Sequence, residues 1–276
     1  MKYSRNKFLK LAGLTGVASL TLSHVVARNP SLQKKELTLG LASYTLRNFK
    51  LEDVIRMTQR LQLKSLALKS MHMPLDSSPD DLRNAATHVS AAGLKLYGAG
   101  VIYMKTAQEV ENAFAYASHA GLEVIIGVPD HALLPLVNKL VEKYNIRLAI
   151  HNHGPGDDLY RSPDDVYAKV RALDKRIGLC IDIGHVVRIG QDPVPMIEKY
   201  QDRLYDLHIK DVDKAQEDGG PVEIGRGVID IPKVIGALMK ISYRYTVAIE
   251  YEKDGEDSLP GLAESVGYLR GVMRVV

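Results

Sequence analysis

The stretch Cys180-Ile-Asp-Ile-Gly-His185 ends a short apolar run with an aspartate and a histidine. Three other apolar runs end in a similar way, at Ala149-Ile-His-Asn-His153, Leu207-His-Ile-Lys-Asp211 and Ala248-Ile-Glu-Tyr251. Short apolar runs of this kind are typical of buried parallel strands. A closed barrel of parallel strands gathers the strand ends at one mouth, where the active sites of such barrels lie. The sequence therefore predicts a barrel enzyme whose site is built from these ends.

Eight apolar runs alternate with segments of helical spacing. The predicted strands are residues 37–43, 65–69, 95–99, 123–128, 147–152, 177–183, 204–209 and 245–250, and the predicted helices are residues 51–61, 78–92, 106–120, 132–144, 163–173, 193–200, 231–240 and 259–272. This alternation implies parallel strands with right-handed crossovers, and eight strands close a (β/α)8 barrel. An open doubly wound sheet is the alternative, but no glycine-rich dinucleotide loop follows the first strand. We therefore predict an α/β protein with a single barrel domain over residues 37–276.

Residues 1–27 have the pattern of a secretory signal peptide. Four basic residues and no acidic residue precede an apolar run over residues 11–22, and Val25-Val-Ala27 fits a small-residue cleavage site. The apolar run is shorter than the roughly 20 residues that a membrane-spanning helix needs. We therefore expect a signal peptide (1–27), a linker (28–36), a periplasmic or otherwise exported protein, and no stable membrane span. A lipid-anchored or uncleaved form is the alternative.

The charge balance argues against nucleic acid as a partner. The chain has 36 basic and 33 acidic residues, and removal of residues 1–27 takes away four basic ones, which leaves 32 against 33. A protein that binds a duplex normally presents a basic surface to the phosphates. The one cysteine, Cys180, excludes an intramolecular disulfide, and we interpret it as a core residue.

Strand alternation determines which side chains point into the predicted barrel. The residues that it brings together from four adjacent strands are His151, Asp182, His208 and Glu250. Two imidazoles and two carboxylates suit one divalent ion, with Mn²⁺, Co²⁺, Zn²⁺ or Fe²⁺ favoured over Mg²⁺. The sequence leaves open whether His151 or His153 is the ligand on the fifth strand. It also leaves open a plain ion pair with Lys210, Arg147 or Arg188, because a buried carboxylate needs some cation nearby.

Three further interpretations concern residues outside this group. Arg147 and Asp206 face inward in the lower barrel, and we expect them to form a structural pair. The glycines of Gly98-Ala-Gly100 are interpreted as a turn. The long connection over residues 211–230 follows the seventh strand at the mouth, where long loops are commonly functional.

Five segments resemble, in order and spacing, the xylose isomerase-like family of sugar phosphate isomerases and epimerases. They are Ala-Ile-His-Asn-His, Cys-Ile-Asp-Ile-Gly-His, Leu-His-Ile-Lys-Asp, Gly-Arg-Gly-Val-Ile-Asp and Ala-Ile-Glu, and the similarity extends from about residue 39 to residue 272. The resemblance implies a TIM barrel with a Glu, Asp, His and Glu metal site. Asp182, His208 and Glu250 match three of those ligands, and His151 stands where many members have the first glutamate. The family's zinc endonucleases carry an additional Asp-x-His pair that this chain does not have.

The resemblance implies a metal-dependent isomerase or epimerase of a sugar or keto-sugar that reacts through a metal-stabilised enediolate. Glu250 is the expected base, His153 or His185 the acid on the opposite side, and Lys210 the group that holds a substrate oxygen. The expected substrate contacts are Lys69, His72, Tyr103 and Arg226.

The alternative function uses the same enediolate but expels a group at the β position. It is a metal-dependent lyase or dehydratase of 3-keto-glycosides or inososes. A sugar-binding protein without activity would be expected to lose one or more of the ligand types, and all four are retained. The expected partner is a small carbohydrate, and the sequence is compatible with a homo-oligomer.

Overall fold

The computed structural model describes residues 37–276; the predicted signal peptide (1–27) and linker (28–36) lie outside the described residues. The barrel strands are β1 (Thr38–Ala42), β2 (Ser65–Leu68), β3 (Lys95–Met104), β4 (Val124–Pro129), β5 (Arg147–His151), β6 (Ile177–Asp182), β7 (Leu204–Ile209) and β10 (Thr246–Ile249). They close in the order β1-β10-β7-β6-β5-β4-β3-β2, and every neighbouring pair is parallel. Two short strands, β8 (Asp211–Val212) and β9 (Pro221–Val222), pair antiparallel in the connection after β7. The predicted (β/α)8 barrel is confirmed.

The helices connect successive strands, and the eight predicted ones are present. They are α1 (Leu51–Arg60), α2 (Pro79–Ala91), α3 (Ala107–His119), α4 (Leu134–Tyr144), α5 (Pro163–Val170), α7 (Pro193–Lys199), α8 (Ile231–Lys240) and α9 (Leu259–Val275). A short helix that the sequence did not predict, α6 (Ile183–Arg188), follows β6 directly. Within residues 37–276, no helix combines the length and the apolar character needed to cross a bilayer.

Hydroxyl caps determine where several helices begin. The Ser78 side chain accepts a hydrogen bond from a backbone N–H of the first turn of α2. Thr106 with Glu109, and Ser162 with Asp165, form reciprocal capping boxes at the starts of α3 and α5. Each such cap stabilises a helix by about 1 kcal/mol. Because each of these helices follows a loop at the mouth of the barrel, the caps also fix where those loops end.

The barrel interior is filled by a compact group of side chains, separate from the larger apolar layer between strands and helices. Its members are Ala67, Tyr97, Val124, Ile126, Ala149, Cys180 and Tyr205. Cys180 is fully buried, and burial raises the pKa of its thiol to about 12. The thiol is therefore uncharged at neutral pH, which agrees with the predicted role of Cys180 as a core residue.

Strand β3 is longer than predicted, because Gly98 and Gly100 belong to the strand and not to a turn. The register between β3 and β4 shifts between Ala99 and Ile102. A Cβ atom on Gly100 would lie far inside van der Waals contact with the carbonyl oxygen of Ile126. Glycine is needed here for close approach of two backbones. The extra length carries Tyr103 to the mouth of the barrel.

The predicted pair between Arg147 and Asp206 is not formed. Asp206 of β7 is paired in register with Cys180 of β6, and Cys180 is paired with His151 of β5. Asp206 is therefore level with His151, which is four residues further along β5 than Arg147. The Asp206 carboxylate accepts a hydrogen bond from the Tyr97 hydroxyl at 3.2 Å. The two residues therefore lie at different levels of the barrel, a difference that inward alternation alone did not reveal.

Candidate metal and catalytic site

Four buried side chains from adjacent strands converge at the carboxyl end of the barrel. They are His151, Asp182, His208 and Glu250, and one ligand atom from each lies within 4.8 Å of the others. His151 ends β5, Asp182 ends β6, and Glu250 directly follows β10. We call these four residues the mouth cluster. Alternation correctly predicted its members, and the structure brings His151 rather than His153 into it.

Within residues 37–276, several buried polar atoms of the mouth cluster have no hydrogen-bond partner. They are both ring nitrogens of His151 and Oδ2 of Asp182. Nε2 of His151 lies 3.4 Å from that oxygen, and Nδ1 of His208 lies 3.1 Å from Oε2 of Glu250. Orphaned buried polar atoms are costly, and a cation shared by them removes the cost. Two imidazoles and two carboxylates at these distances fit one divalent ion, without determining which.

Lys210 places an ammonium group against the mouth cluster. Its Nζ lies 2.9 Å from Oδ2 of Asp182 and 2.8 Å from Oε2 of Glu250, and it also contacts Glu252. Burial opposes the charge, but the three carboxylates outweigh burial and hold the pKa of Lys210 well above its ordinary value. The ion pair that the sequence left open is therefore present. This ion pair compensates the charge of Asp182, but it leaves both ring nitrogens of His151 without a hydrogen-bond partner among the described residues.

Electrostatics keep both carboxylates of the mouth cluster ionised. Burial alone would raise the pKa of each carboxyl. Lys210 and His185 overcome this at Asp182, and His208 and Lys210 overcome it at Glu250, so that both pKa values lie well below their ordinary range. Glu250 is thus a carboxylate at neutral pH, as a base or a metal ligand must be.

Two further imidazoles lie beside the mouth cluster. The His153 ring is 4.4 Å from that of His151, and the His185 ring is 5.8 Å from both. Burial, with His185 nearby, lowers the pKa of His153 to about 4, and burial also lowers the pKa of His185. Both rings are therefore neutral at pH 7 and can accept or donate a proton. Nε2 of His153 is hydrogen-bonded to the Tyr103 hydroxyl at 2.8 Å.

Of the four predicted substrate contacts, Lys69 and Tyr103 lie beside the mouth cluster. Nζ of Lys69 donates to the carbonyl oxygen of Val101 at 2.6 Å and lies 5.9 Å from the Tyr103 ring centre. Burial lowers the pKa of Lys69, and the charge of Glu250 opposes that change. Their contact with substrate stays a prediction.

The other two predicted substrate contacts are engaged elsewhere. His72 is buried, with Nδ1 2.8 Å from the Ser43 hydroxyl and Nε2 3.1 Å from the carbonyl oxygen of Leu46. Its ring fixes the connection after β1. Arg226 is exposed and donates to Glu264 of α9 at 2.7 Å. The structure does not bring either residue into the mouth cluster, because each is held by a partner distant in sequence.

Sequence reasoning missed residues that position the cluster. The Asn152 amide accepts from the backbone N–H of Asp182 at 3.0 Å, which ties β5 to β6 at the cluster. The Asp211 carboxylate is fully buried and accepts from the backbone N–H groups of Val212, Gly225, Gly227 and Ile229. The predicted functional loop over residues 211–230 is thus folded around one aspartate. The signal in the sequence was an acidic residue two positions after a predicted strand, followed downstream by Gly225-Arg-Gly227.

Residues 131–272, just over half of the chain, match the family model described as xylose isomerase-like TIM barrel. The chain belongs to the xylose isomerase-like TIM barrel family. This match covers β5, β6, β7 and β10, which carry the mouth cluster. The resemblance predicted from the sequence is therefore confirmed.

Two curated relatives match parts of the chain. The rhizopine catabolism protein MocC of Rhizobium meliloti is 26% identical over 151 residues, which are 49% of this chain and 46% of that protein. An inosose dehydratase of Lacticaseibacillus casei is 29% identical over 100 residues, which are 31% of this chain and 34% of that enzyme. The matches thus span half or less of the length of these relatives.

Solved structures share the fold. The IOLI protein, described with a bound zinc atom, has a TM-score of 0.71 at 16% identity, with 86% of this chain and 98% of that chain covered. The 3-keto-D-glucoside 4-epimerase YcjR of E. coli has a TM-score of 0.70 at 12% identity, with 86% and 100% covered. At these identities the likeness shows the fold alone.

Proposed function

We propose that the protein is a divalent-metal-dependent carbon–oxygen lyase that acts on a keto-sugar of the 3-keto-glycoside or inosose type. The observation that carries the proposal is the neighbourhood of the mouth cluster, where Glu250 faces imidazoles instead of a second glutamate. His151 occupies the position on β5 where many family members have a glutamate. In the family that the sequence resembles, that glutamate and Glu250 would be the opposing acid and base of a symmetrical proton transfer. Here one carboxylate and several imidazoles take their place.

The four residues of the mouth cluster would hold the metal. A divalent ion at this position supplies a Lewis acid that polarises a substrate carbonyl and its neighbouring hydroxyl oxygen. Lys210 sets the charge of the same region, because its ammonium is shared by Asp182 and Glu250. A substrate oxygen that approaches these carboxylates would take over one of the three N–H donors of Lys210, which contact Asp182, Glu250 and Glu252 before substrate binds.

Glu250 is the base in this proposal. Its carboxylate takes the proton from the carbon beside the carbonyl, and the electron pair of that C–H bond becomes the double bond of an enediolate. His208 and Lys210 hold the Glu250 carboxylate at 3.1 and 2.8 Å, so it is oriented before substrate binds. The enediolate then re-forms the carbonyl as the C–O bond at the β carbon breaks.

Tyr103 and His153 form the acid for the leaving group. The proton of the Tyr103 phenol passes to the departing oxygen, the neutral His153 ring holds the hydroxyl in position, and the exposed Tyr103 side chain is reprotonated from solvent. A cavity of about 220 Å³ beside Tyr103 is also lined by Leu75 and Ile102. The lining also includes Asp76, Glu109 and Asn112, so the cavity offers both apolar surface and hydrogen-bond acceptors to the leaving group of a glycoside.

The curated relatives support elimination as the outcome. An inosose dehydratase matches 31% of this chain, and its name describes loss of water from a keto-inositol. Elimination of this type needs one base and one acid at different atoms of the substrate. Glu250 and the Tyr103–His153 pair meet that need.

An isomerase or epimerase is the second candidate, as the sequence first indicated. The observation in its favour is the number of proton-transfer groups around one cluster. His153 and His185 lie within 6 Å of the His151 ring in addition to Glu250. With more than one such group, a proton can return to the carbon that lost it.

Products formed in D₂O separate the two candidates. The purified protein is incubated with Mn²⁺, Co²⁺ or Zn²⁺ and either a 3-keto-glucoside or an inosose, and the products are followed by NMR. Release of the aglycone or of water with an unsaturated ketone supports the lyase, whereas an epimer that carries one deuterium supports the epimerase. The variant Asp182→Ala, checked for folding by circular dichroism, is the control and should be inactive. If neither deuterium exchange nor elimination occurs with any metal, both candidates are wrong.

We propose from the sequence that the protein acts outside the cytoplasm. The support is the basic and then apolar pattern of residues 1–27. N-terminal sequencing of the protein from a periplasmic extract should find Arg28 as the first residue. Recovery of an intact N-terminus from the cytoplasm would contradict this proposal.

A further inference from the structure

A second cavity lies at the opposite end of the barrel, which the proposed function does not use. Its volume is about 160 Å³, and its lining includes the first residues of β1, β2 and β5, namely Thr38, Ser65 and Arg147. Parallel strands all begin at the same end, and the mouth cluster lies where they finish. The cavity is therefore separated from that cluster by the packed interior of the barrel.

Arg147 is the central cation of this cavity. Its guanidinium is stacked against two tyrosines, with Cζ 5.6 Å from the Tyr205 ring centre and 5.2 Å from that of Tyr245. Among residues 37–276, its side chain has neither a hydrogen bond nor an ion pair. Stacking occupies the faces of a guanidinium and leaves the five N–H donors along its edge. Those donors are available to an acceptor in the cavity.

The basic residues that line the cavity outnumber its acidic residue, Glu123. Glu123 is paired with Lys95 at 2.7 Å. Arg244 lies over the Tyr245 ring at 5.4 Å and, among the described residues, has no acidic partner. Two arginines thus remain without a counter-charge. A partly buried cation gains most from an anion that replaces the water it has lost.

The aromatic walls are held in place by the rest of the barrel. The Tyr205 hydroxyl donates to the carbonyl oxygen of Lys175. A Cβ atom on Gly178 would lie 2.6 Å from the Tyr205 ring, so glycine leaves the space that the ring uses. Tyr205 and Tyr245 are also in edge-to-face contact at 5.4 Å. The guanidinium is therefore oriented before any ligand arrives, which lowers the cost of binding.

We propose that this cavity binds a small oxyanion of the phosphate or carboxylate class, with Arg147 as the main donor and Arg244 as a second cation. The guanidinium edge matches two oxygens of either group. The site is independent of the mouth cluster, and the proposal does not depend on the proposed function.

Titration of the full-length protein with anions tests the proposal. Inorganic phosphate and malonate are added separately at constant ionic strength, with sodium chloride as the balancing salt, and binding is measured by calorimetry. Arg147→Met keeps the apolar stem against the tyrosines and removes the charge. It should weaken binding by about tenfold or more, because charge-assisted hydrogen bonds are lost. Arg56→Met, on an exposed helical arginine paired with Asp53, is the matched control and should change nothing.

Further variants determine where the anion binds. Asp182→Ala and Lys69→Met alter the mouth and should leave phosphate or malonate binding unchanged. Arg244→Met should weaken binding and serves in place of Arg147→Met if that variant does not fold. The proposal is overturned if neither anion binds, if the arginine variants bind as the unaltered protein does, or if the mouth variants lose binding. Whichever anion binds more tightly identifies the class.

Discussion

Lys210 determines the charge balance at the mouth. Its ammonium contacts the carboxylates of Asp182, Glu250 and Glu252. Among the described residues, no exposed lysine forms ion pairs with three carboxylates. Removing one partner of a buried ion pair is costly because the other charge is left uncompensated. The same ammonium repels a divalent ion that approaches the cluster. Lys210 therefore stabilises the metal-free protein and competes with the metal.

The variant Lys210→Met should separate these two effects. Without added metal, we expect the free energy of unfolding to fall by about 3–5 kcal/mol, because buried carboxylates lose their cation. With saturating Mn²⁺ or Zn²⁺, most of that loss should be recovered and the metal should bind more tightly. Thermal unfolding with and without metal measures both. The matched control is Lys214→Met, which breaks an exposed pair with Asp218 and should change the free energy of unfolding very little. Equal losses with and without metal would contradict the prediction.

Metal binding should release a proton from His208. Burial opposes protonation of this ring, but the charge of Glu250 and its hydrogen bond to the ring outweigh burial and raise the pKa of His208 well above its ordinary value of 6.5 in the metal-free fold. The ring therefore holds a proton at pH 7, and a metal ligand must be neutral. We expect the metal affinity to rise as the pH increases above about 6.5. The stability that the protonated His208 ring contributes to the metal-free protein is fully present below pH 6.5. It is lost as the pH rises through the raised pKa of the ring.

Calorimetry in buffers of different ionisation enthalpy measures this proton. The apparent binding enthalpy at pH 7 should depend on the buffer, because the released proton is taken up by it. His208→Gln should bind the metal more weakly and remove that dependence. A binding enthalpy that is the same in every buffer would show that no proton is released.

At the scale of elements, the loop over residues 211–230 is organised by a single carboxylate. Asp211 accepts four backbone N–H groups, and a Cβ atom on Gly227 would lie against the Asp211 carboxylate. We expect Asp211→Ala to reduce stability by about 3 kcal/mol or more, because the buried N–H groups lose a charged acceptor. It should also make this loop the first site of proteolysis.

Limited proteolysis with mass spectrometry, together with chemical denaturation, tests the role of Asp211. Asp213→Ala is the matched control, since Asp213 accepts from one N–H group only, that of Gly220 at 2.8 Å. This variant should stay within about 1 kcal/mol of the unaltered protein. If the two variants behave alike, the loop does not depend on Asp211.

The sequence predicted the barrel and the mouth cluster because both follow from periodic patterns. The alternation of strands and helices indicates the barrel, and the alternation of side chains along each strand indicates which residues face inward. Alternation placed His151 and His153 on one face, but β5 ends at His151, so alternation no longer applies to His153. Helix α6 was missed because Asp182 ends a strand and also caps a helix. The contacts of His72 and Arg226 depend on residues more than twenty positions away. Local patterns do not encode such contacts.

At the scale of the whole molecule, the mouth of the barrel gathers carboxylates and the opposite end gathers arginines. The mouth holds Asp182, Glu250 and Glu252 around one ammonium, whereas the opposite end holds Arg147 and Arg244 around tyrosines. The interior between them consists of uncharged side chains and Asp206. A cation at one end and an anion at the other should therefore stabilise the same fold through separate residues.

Metal binding should stabilise the barrel as a unit, because the mouth cluster joins four of its eight strands or their ends. A ligand that binds only the folded state adds about 2.7 kcal/mol at one hundred times its dissociation constant. For a domain of this size we expect the midpoint of thermal unfolding to fall by about 5–10 °C on chelation. Scanning calorimetry before and after dialysis against a chelator measures the change, and added Mn²⁺ or Zn²⁺ should restore the midpoint. Asp182→Ala should show no response to chelation. An unaltered protein that does not respond either would show that the four residues hold no metal.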